Sequence, residues 1–171
     1  LNQAAIRAVF ELVFASLLWG FGFIAAVWAL RDMEPFTLST VRFGLAVLFG
    51  LPLVALLPNL RKDLRWEQAR LAILPGLFLG LVLLLQTWGQ RYTTATKSSF
   101  ITTLYVLFVP LLERAILRTK LHPSHFLFVI LGLVGTALMC QFQAGIWNFG
   151  DLLTLLCSLV ASIHILWFAL I

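Results

Sequence analysis

The residues best suited to chemistry in this chain are polar side chains that interrupt long apolar stretches. A run of hydroxyls and one lysine extends from Tyr92 to Tyr105 and is followed by Val109 and Pro110. Polar and ionisable side chains are costly inside a bilayer, so such a run marks a place where water or a polar solute enters. The pattern is a first indication of transport.

A single arginine in the second apolar stretch is a further candidate. Arg42 lies below the outer membrane interface, in the segment Leu38–Gly44. It could supply a fixed positive charge for an anion or a zwitterion, or it could snorkel outward or pair with Asp32 or Glu34. The sequence leaves both interpretations open.

Two more groups of polar side chains recur at helical spacing. Gln86 and Gln90 present two amides on one helical face, which hydrogen bonds between helices or a solute would satisfy. Ser98, Thr102 and Tyr105 recur at i, i+4 and i+7 and form a hydroxyl stripe that faces a cavity or another helix. Serine and threonine often bond to their own helix, but that does not account for the tyrosine. We therefore expect the stripe to face a cavity.

Small residues and a proline indicate where helices pack closely or bend. Trp19 stands beside two glycines, and its indole could stack on a solute or fill the bundle. Pro110 removes one backbone hydrogen bond, so it predicts a kink that could act as a hinge beside the hydroxyl stripe. Close packing or bending is predicted at Gly20, Gly22, Gly76 and Gly80.

The composition defines the elements that must position these residues. With 61% hydrophobic and 11% charged residues, the chain is an integral membrane protein. A helix needs about 20 mainly apolar residues to cross a hydrocarbon core of roughly 30 Å. Short connections make neighbouring helices antiparallel. We predict an all-α, polytopic transmembrane bundle of six spanning helices near Val9–Leu30, Thr37–Leu57, Ala69–Gly89, Ser98–Leu117, Ser124–Gln141 and Asp151–Ile171.

The basic residues predict the orientation of the bundle, because cytoplasmic loops hold an excess of lysine and arginine. Arg31, Arg91 and Lys97 fall on one side, and a larger set falls on the other. This bias predicts a multi-pass protein of the plasma (inner) membrane with a cytoplasmic N-terminus. The net charge of +5 is scattered through loops, which favours the lipid bilayer, and not nucleic acid, as a partner. The larger set is Arg7, Arg61, Lys62, Arg65, Arg70, Arg114, Arg118 and Lys120.

The chain offers little for metal or cofactor chemistry. Cys140 and Cys157 lie in or near apolar spans and are typical of packing residues. His122 and His125 share a turn that has no nearby cysteine or carboxylate, so they fall short of a ligand set. We predict no metal site and no cofactor.

The hypothesis of a membrane-embedded enzyme would depend on the sixth span. His164 would have to act with Ser158 or Ser162 as base and nucleophile. Within one helix those pairs point to different faces and cannot meet. We therefore predict that the protein is not an enzyme, and a structural role is favoured for His164.

Four motifs follow one another along the chain: Trp19-Gly20, Arg42-Phe43, the stretch from Tyr92 to Leu112, and Gly132–Gly135. In order and spacing they resemble the EamA-like family of the drug/metabolite transporter superfamily. The resemblance covers nearly the whole chain. It departs at Arg118 and Thr119, where such repeats commonly have Gly-Glu.

The resemblance implies a ten-helix carrier built from two inverted five-helix repeats with the solute held between them. An odd number of crossings inverts the second repeat, as such carriers require. Residues 1–142 are then expected to form the first five-helix repeat, and residues 143–171 the first helix of a second. The missing C-terminal repeat would be the principal protein partner.

The function implied is a secondary transporter, exporter-like, that moves small polar metabolites such as amino acids or related compounds by alternating access. The alternative is a structural or assembly helix bundle that moves nothing. Such a bundle predicts no water-accessible cavity among the third and fourth spans. The expected solute-binding residues are Trp19, Arg42, Gln86, Gln90, Thr102 and Tyr105.

Overall fold

Helices account for nearly all of the residues that this computed structural model describes, which are 2–57, 66–118, 123–139 and 147–170. No strand occurs among them. This confirms the all-helical fold. The helices are α1 (Gln3–Ala29), α2 (Pro35–Leu56), α3 (Trp66–Tyr92), α4 (Ala95–Thr103), α5 (Tyr105–Leu117), α6 (Pro123–Met139) and α7 (Phe149–Leu170).

Within the described ranges, 5 helical segments are long and apolar enough to cross a membrane. They match the first four predicted spans and the sixth to within a few residues, and they confirm a polytopic membrane bundle. The predicted fifth span, Ser124–Gln141, corresponds to α6, which has 17 residues; residues 140 and 141 lie outside the described part. The crossing segments are Ala5–Ala29, Pro35–Leu56, Ala69–Tyr92, Ala95–Leu117 and Phe149–Phe168.

The fourth span is divided into two helices at Leu104. The N–H of Leu104 donates to the carbonyl oxygen of Ile101, three residues earlier, at 3.1 Å. An α-helix bonds each N–H to the residue four earlier, so this is the tighter turn of a 3₁₀-helix. Pro110 lies inside α5, which continues through it, so the kink expected there stays a prediction. The interruption at Leu104 lies before the proline, where a backbone hydrogen bond spans three residues.

The bundle is packed at one end and open at the other. The packed end is the end of the bundle at which α1 and α3 finish and α2, α4 and α7 begin. On α1, Phe23 and Ala26 near this end are 8% and 4% exposed, whereas Phe10 and Phe14 near the other are 70% and 55% exposed. The apolar surface of the open end is the kind that lipid or further membrane segments cover.

Helices α3 and α7 cross closely at the packed end because each has a glycine there. A Cβ at Gly89 would lie 3.0 Å from the carbonyl oxygen of Gly150, and a Cβ at Gly150 would lie 2.5 Å from that of Gly89. Real Cβ atoms essentially never come within 3.0 Å of such atoms. The two backbones can approach this closely only without side chains, as small residues allow in membrane helices.

One face of α7 is buried and consists of small or polar residues. The face is turned toward α3 and α4, because α7 packs against both. The hydroxyls of Thr154 and Ser162 donate to carbonyl oxygens of their own helix at 2.8 and 2.7 Å, so they are satisfied without another helix. The buried face comprises Gly150, Asp151, Thr154, Cys157, Ser158, Ala161 and Ser162.

Candidate functional site

A partly open cleft of about 340 Å³ lies between α1, α2 and α3. Its polar groups are the guanidinium of Arg42, the amide of Gln86 and the indole of Trp19, all three of which the sequence predicted as solute-binding residues. Apolar side chains and one glycine form most of the remaining wall. Those lining residues are Ala15, Leu18, Gly22 and Phe23.

Arg42 is held in the cleft by α3. It is half-buried, and its Nη1 donates to Oγ1 of Thr87 at 3.4 Å. Thr87 is fully buried and donates its own hydroxyl to the carbonyl oxygen of Leu83 at 2.7 Å. The ion pairs found among the described residues do not include Arg42 with Asp32 or Glu34. The cleft thus contains a cation without a carboxylate partner in that part of the chain.

The amide of Gln86 adds an unused hydrogen-bond donor to the same cleft. Gln86 is 4% exposed, and its Nε2 has no hydrogen-bond partner within the described ranges. A buried polar atom without a partner costs about 1–3 kcal/mol, and the great majority of such atoms are bonded. A guanidinium and an amide donor that face the same space fit an anionic or strongly hydrogen-bond-accepting group.

The structure separates the predicted hydroxyl stripe from the cleft. Thr102 and Ser98 are buried, and the hydroxyl of Ser98 has no hydrogen-bond partner among the described residues. Tyr105 packs against the apolar cluster around Cys157. Because α4 and α5 both lie against α7, the stripe faces that helix, the second of the two surroundings that the sequence allowed. Periodicity defines a common face but not which neighbour covers it.

Gln90 also lies outside the residues that line the cleft. It is 4% exposed, and neither amide atom has a hydrogen-bond partner in the described part of the chain. The structure therefore brings three of the predicted solute-binding residues together and leaves Gln90, Thr102 and Tyr105 in the neighbouring packed region.

The glycines predicted for close packing are not at helix contacts within the described ranges. A Cβ at Gly20, Gly22, Gly76 or Gly80 would meet nothing within 4 Å. The close contact is formed by Gly89 and Gly150 instead. Spacing of small residues along one helix cannot identify the partner helix, so the sequence did not indicate this contact, and packing at the four predicted glycines stays a prediction.

A second polar cluster lies at the packed end, where the polar run from Tyr92 to Tyr105 meets Asp151, a contact that no pattern in the sequence predicted. Nζ of Lys97 lies 2.5 Å from Oδ2 of Asp151, and Oγ1 of Thr93 donates to Oδ1 at 2.7 Å. The side chain of Asp151 is 0% exposed and that of Lys97 is 20% exposed. At the same end, the guanidinium of Arg91 donates to the carbonyl oxygen of Leu30 and so ties α3 to α1.

Asp151 also takes part in capping the start of its own helix, α7. Its backbone N–H donates to Oδ1 of Asn148 at 2.9 Å, and the N–H of Asn148 donates to Oδ2 of Asp151 at 3.0 Å. This reciprocal pair is a capping box with asparagine and aspartate. The spacing of Asn148 and Asp151 was the signal in the sequence that could have located this helix start and its buried carboxylate.

The described ranges contain no group of three or more His, Cys, Asp or Glu that could hold a metal ion. His122 lies outside those ranges, and nothing is described of the side chain of His125. Nδ1 of His164 has no partner, and its ring packs edge to face on Phe168 with centroids 5.2 Å apart. Ser158 donates to the carbonyl oxygen of Leu155 at 2.8 Å, so it is engaged with its own helix.

The apolar crossing helices make this a multi-pass membrane protein. Residues 6–141 match the EamA-like transporter family. The chain belongs to that family.

Two relatives from Archaeoglobus fulgidus, each described as an uncharacterized transporter, are similar to this chain. One is 33% identical over 149 residues, which cover 86% of this chain and 44% of the relative. The other is 22% identical over 125 residues, which cover 72% of this chain and 44% of the relative. The chain thus spans less than half the length of these relatives. No solved structure matches it.

Proposed function

We propose that the protein is a secondary transporter, exporter-like, that moves small polar metabolites such as amino acids or related compounds by alternating access. The observation that carries this proposal is Arg42, a half-buried cation in the cleft without a carboxylate partner among the described residues. A charge inside a membrane segment is expensive and functional by default. Its counterion would be the solute.

In this proposal the cleft binds the solute at its charged end. Arg42 pairs with an anionic group, Gln86 donates a second hydrogen bond, and Trp19 stacks on the body of the solute. Thr87 fixes the guanidinium from the side of α3. Gln90, Thr102 and Tyr105 border the route in a later conformation.

The rest of the carrier completes the site. Residues 1–142 form a five-helix repeat, α7 begins the second, and a C-terminal repeat of inverted orientation closes the other side of the cavity. Gly20, Gly22, Gly76 and Gly80 face open space, so they remain available for packing against that repeat. Pro110 and the glycines let the helices rock.

The basic residues support an orientation in the plasma (inner) membrane with the N-terminus in the cytoplasm. The packed end is then the outer end, and the open end faces the cytoplasm. The cleft lies in the outer half of the bilayer, since Gln86 and Arg42 belong to the halves of α3 and α2 nearer that end.

Counterflow in proteoliposomes tests the proposal. The full-length protein is reconstituted and screened with radiolabelled amino acids, each compared with its methyl ester, which lacks the anionic group. We expect uptake of some acids over their esters. Arg42→Gln should lower that uptake about tenfold, which corresponds to roughly 1.4 kcal/mol and is close to the lower limit for a hydrogen bond to a charged group.

The matched control is Arg31→Gln, which removes the same charge from an exposed position near the same end of the bundle. It should insert and transport normally. If Arg42→Gln instead reduces the amount of folded protein as much as it reduces uptake, the arginine has a structural role. If no solute moves and a thiol at Gln86→Cys stays unreactive in well-inserted protein, the structural or assembly bundle is the correct function.

A further inference from the structure

The ion pair at the packed end joins a helix inside the family match to a helix beyond it. Lys97 belongs to α4, within residues 6–141, and Asp151 belongs to α7. A buried ion pair is stable only when further hydrogen bonds satisfy its charges, because desolvation is costly. Thr93 and Asn148 supply those bonds to Asp151.

Buried polar side chains next to this ion pair lack hydrogen bonds. Ser98 of α4 and Gln90 of α3 are buried, and their hydroxyl and amide atoms have no partner among the described residues. A buried polar atom without a partner is less stable than a hydrated one. Separation of α4 from α7 would hydrate these groups, so the ion pair works against a tendency to open.

Contacts with backbone atoms hold α3 at this end, whereas α4 is joined to α7 through side chains. Arg91 of α3 donates to the carbonyl oxygen of Leu30, just after α1, and Gly89 of α3 crosses Gly150 of α7. Helix α4 packs its buried face against α7, and Lys97 with Asp151 is the ion pair between them in the described ranges. The interruption at Leu104 separates this nine-residue helix from α5. Loss of the ion pair would leave the contact between α4 and α7 to side-chain packing.

We propose that Lys97 and Asp151 form the outer gate of the carrier. In the present conformation the pair holds α4 against α7, and its separation admits water to Gln90, Ser98 and Thr102. This inference rests on the proposed transport function and on its orientation. The gate is the contact that must break for the outer side to open.

Thiol labelling on intact cells tests the gate. All native cysteines of the full-length protein are replaced, and Ser98→Cys is the reporter for an impermeant maleimide added outside. Thr96→Cys, at an exposed position on the same helix, is the control. The double variant Lys97→Met with Asp151→Asn removes both charges, because removal of one alone leaves a buried charge unpaired.

We expect slow labelling at Ser98→Cys when the pair is intact and about tenfold faster labelling in the double variant. Lys97→Arg, which keeps the charge, should label slowly. Labelling at Thr96→Cys should be the same in all backgrounds. Slow labelling in the folded double variant, with normal labelling of the control, would overturn the gate and leave the pair a structural contact.

A second measurement decides the question if the double variant does not fold. Lys97→Cys and Asp151→Cys are joined by a short, cleavable bifunctional thiol reagent. The joined protein should stop transporting and resume after cleavage; full transport by the joined protein would overturn the gate. The labelling test requires no solute, so it can fail or succeed independently of the counterflow test of transport.

Discussion

The two ends of the bundle hold their helices in different ways, although both are built from apolar helices. At the packed end, polar contacts and glycines fix the helices to each other: Lys97 pairs with Asp151, and Gly89 meets Gly150. At the open end, the ion pair found in the described residues is Arg7 with Glu11, four residues apart on one exposed helix face.

The difference shows what stabilises helix contacts in a membrane. Lipid is as apolar as leucine, so apolar surface alone does not drive helices together. Close backbone approach and buried polar pairs supply specificity instead. The open end has apolar surface without those features in the described ranges, and the packed end has both. Four pairs of matched substitutions test this comparison.

The largest difference is expected between the two ion pairs. Asp151→Ala leaves Lys97 partly buried without its partner and removes a helix cap, so it should lower the free energy of unfolding by about 3–5 kcal/mol. Glu11→Ala breaks only an exposed pair with Arg7 and should have no measurable effect. Unfolding of the purified full-length protein in mixed micelles measures both. Equal effects would contradict the distinction between the two ends.

A smaller difference is expected between two glycines of α3. Gly89→Leu forces a side chain into the backbone of α7 and should destabilise the protein by about 1–3 kcal/mol. Gly80→Leu places the same side chain in open space and should leave the melting temperature unchanged. Thermal unfolding followed by size-exclusion chromatography compares them. A loss at Gly80 as large as at Gly89 would mean that the open end is covered as tightly as the packed end.

Two isoleucines test apolar packing by itself. Ile101 is 2% exposed at the packed end, and Ile73 is 58% exposed at the open end. Ile101→Ala should cost about 1–2 kcal/mol through the cavity left behind, because transfer to lipid contributes little in a membrane. Ile73→Ala should be neutral in the same unfolding assay. A neutral result at Ile101 would show that the polar contacts alone hold this end together.

The smallest effect concerns the threonine that positions the cleft arginine. Thr87→Val removes the acceptor for Arg42 and should cost about 0.6 kcal/mol, the average for hydrogen bonds between membrane helices. The same loss of positioning should weaken apparent solute affinity about threefold in counterflow. Thr40→Val, at an exposed hydroxyl that bonds to its own helix, is the control. Unchanged affinity in Thr87→Val would mean that the guanidinium needs no support from α3.

The helices could be predicted from the sequence because spanning length and apolar composition are local properties. The break at Leu104 could not, since its sequence signal is weaker than that of Pro110 and it depends on how α4 and α5 pack on α7.

Half of the candidate site followed from residue type, and the other half depended on neighbours. Trp19, Arg42 and Gln86 were predicted from their chemistry and share the cleft. Thr102 and Tyr105 were placed on the right helical face, but the helix that covers that face is remote in sequence. Lys97 and Asp151 are 54 positions apart, so their pairing required the tertiary arrangement.

The capping box at the start of α7 restricts which residues homologous sequences can have at these positions. The carboxylate of Asp151 both caps the start of α7 and pairs with Lys97, so any replacement must fit both contacts. Lys97 has only one such duty, and arginine can fulfil it. Among homologues that retain this arrangement, position 97 should vary between basic residues while position 151 stays aspartate. The spacing from Asn148 should admit no insertion or deletion.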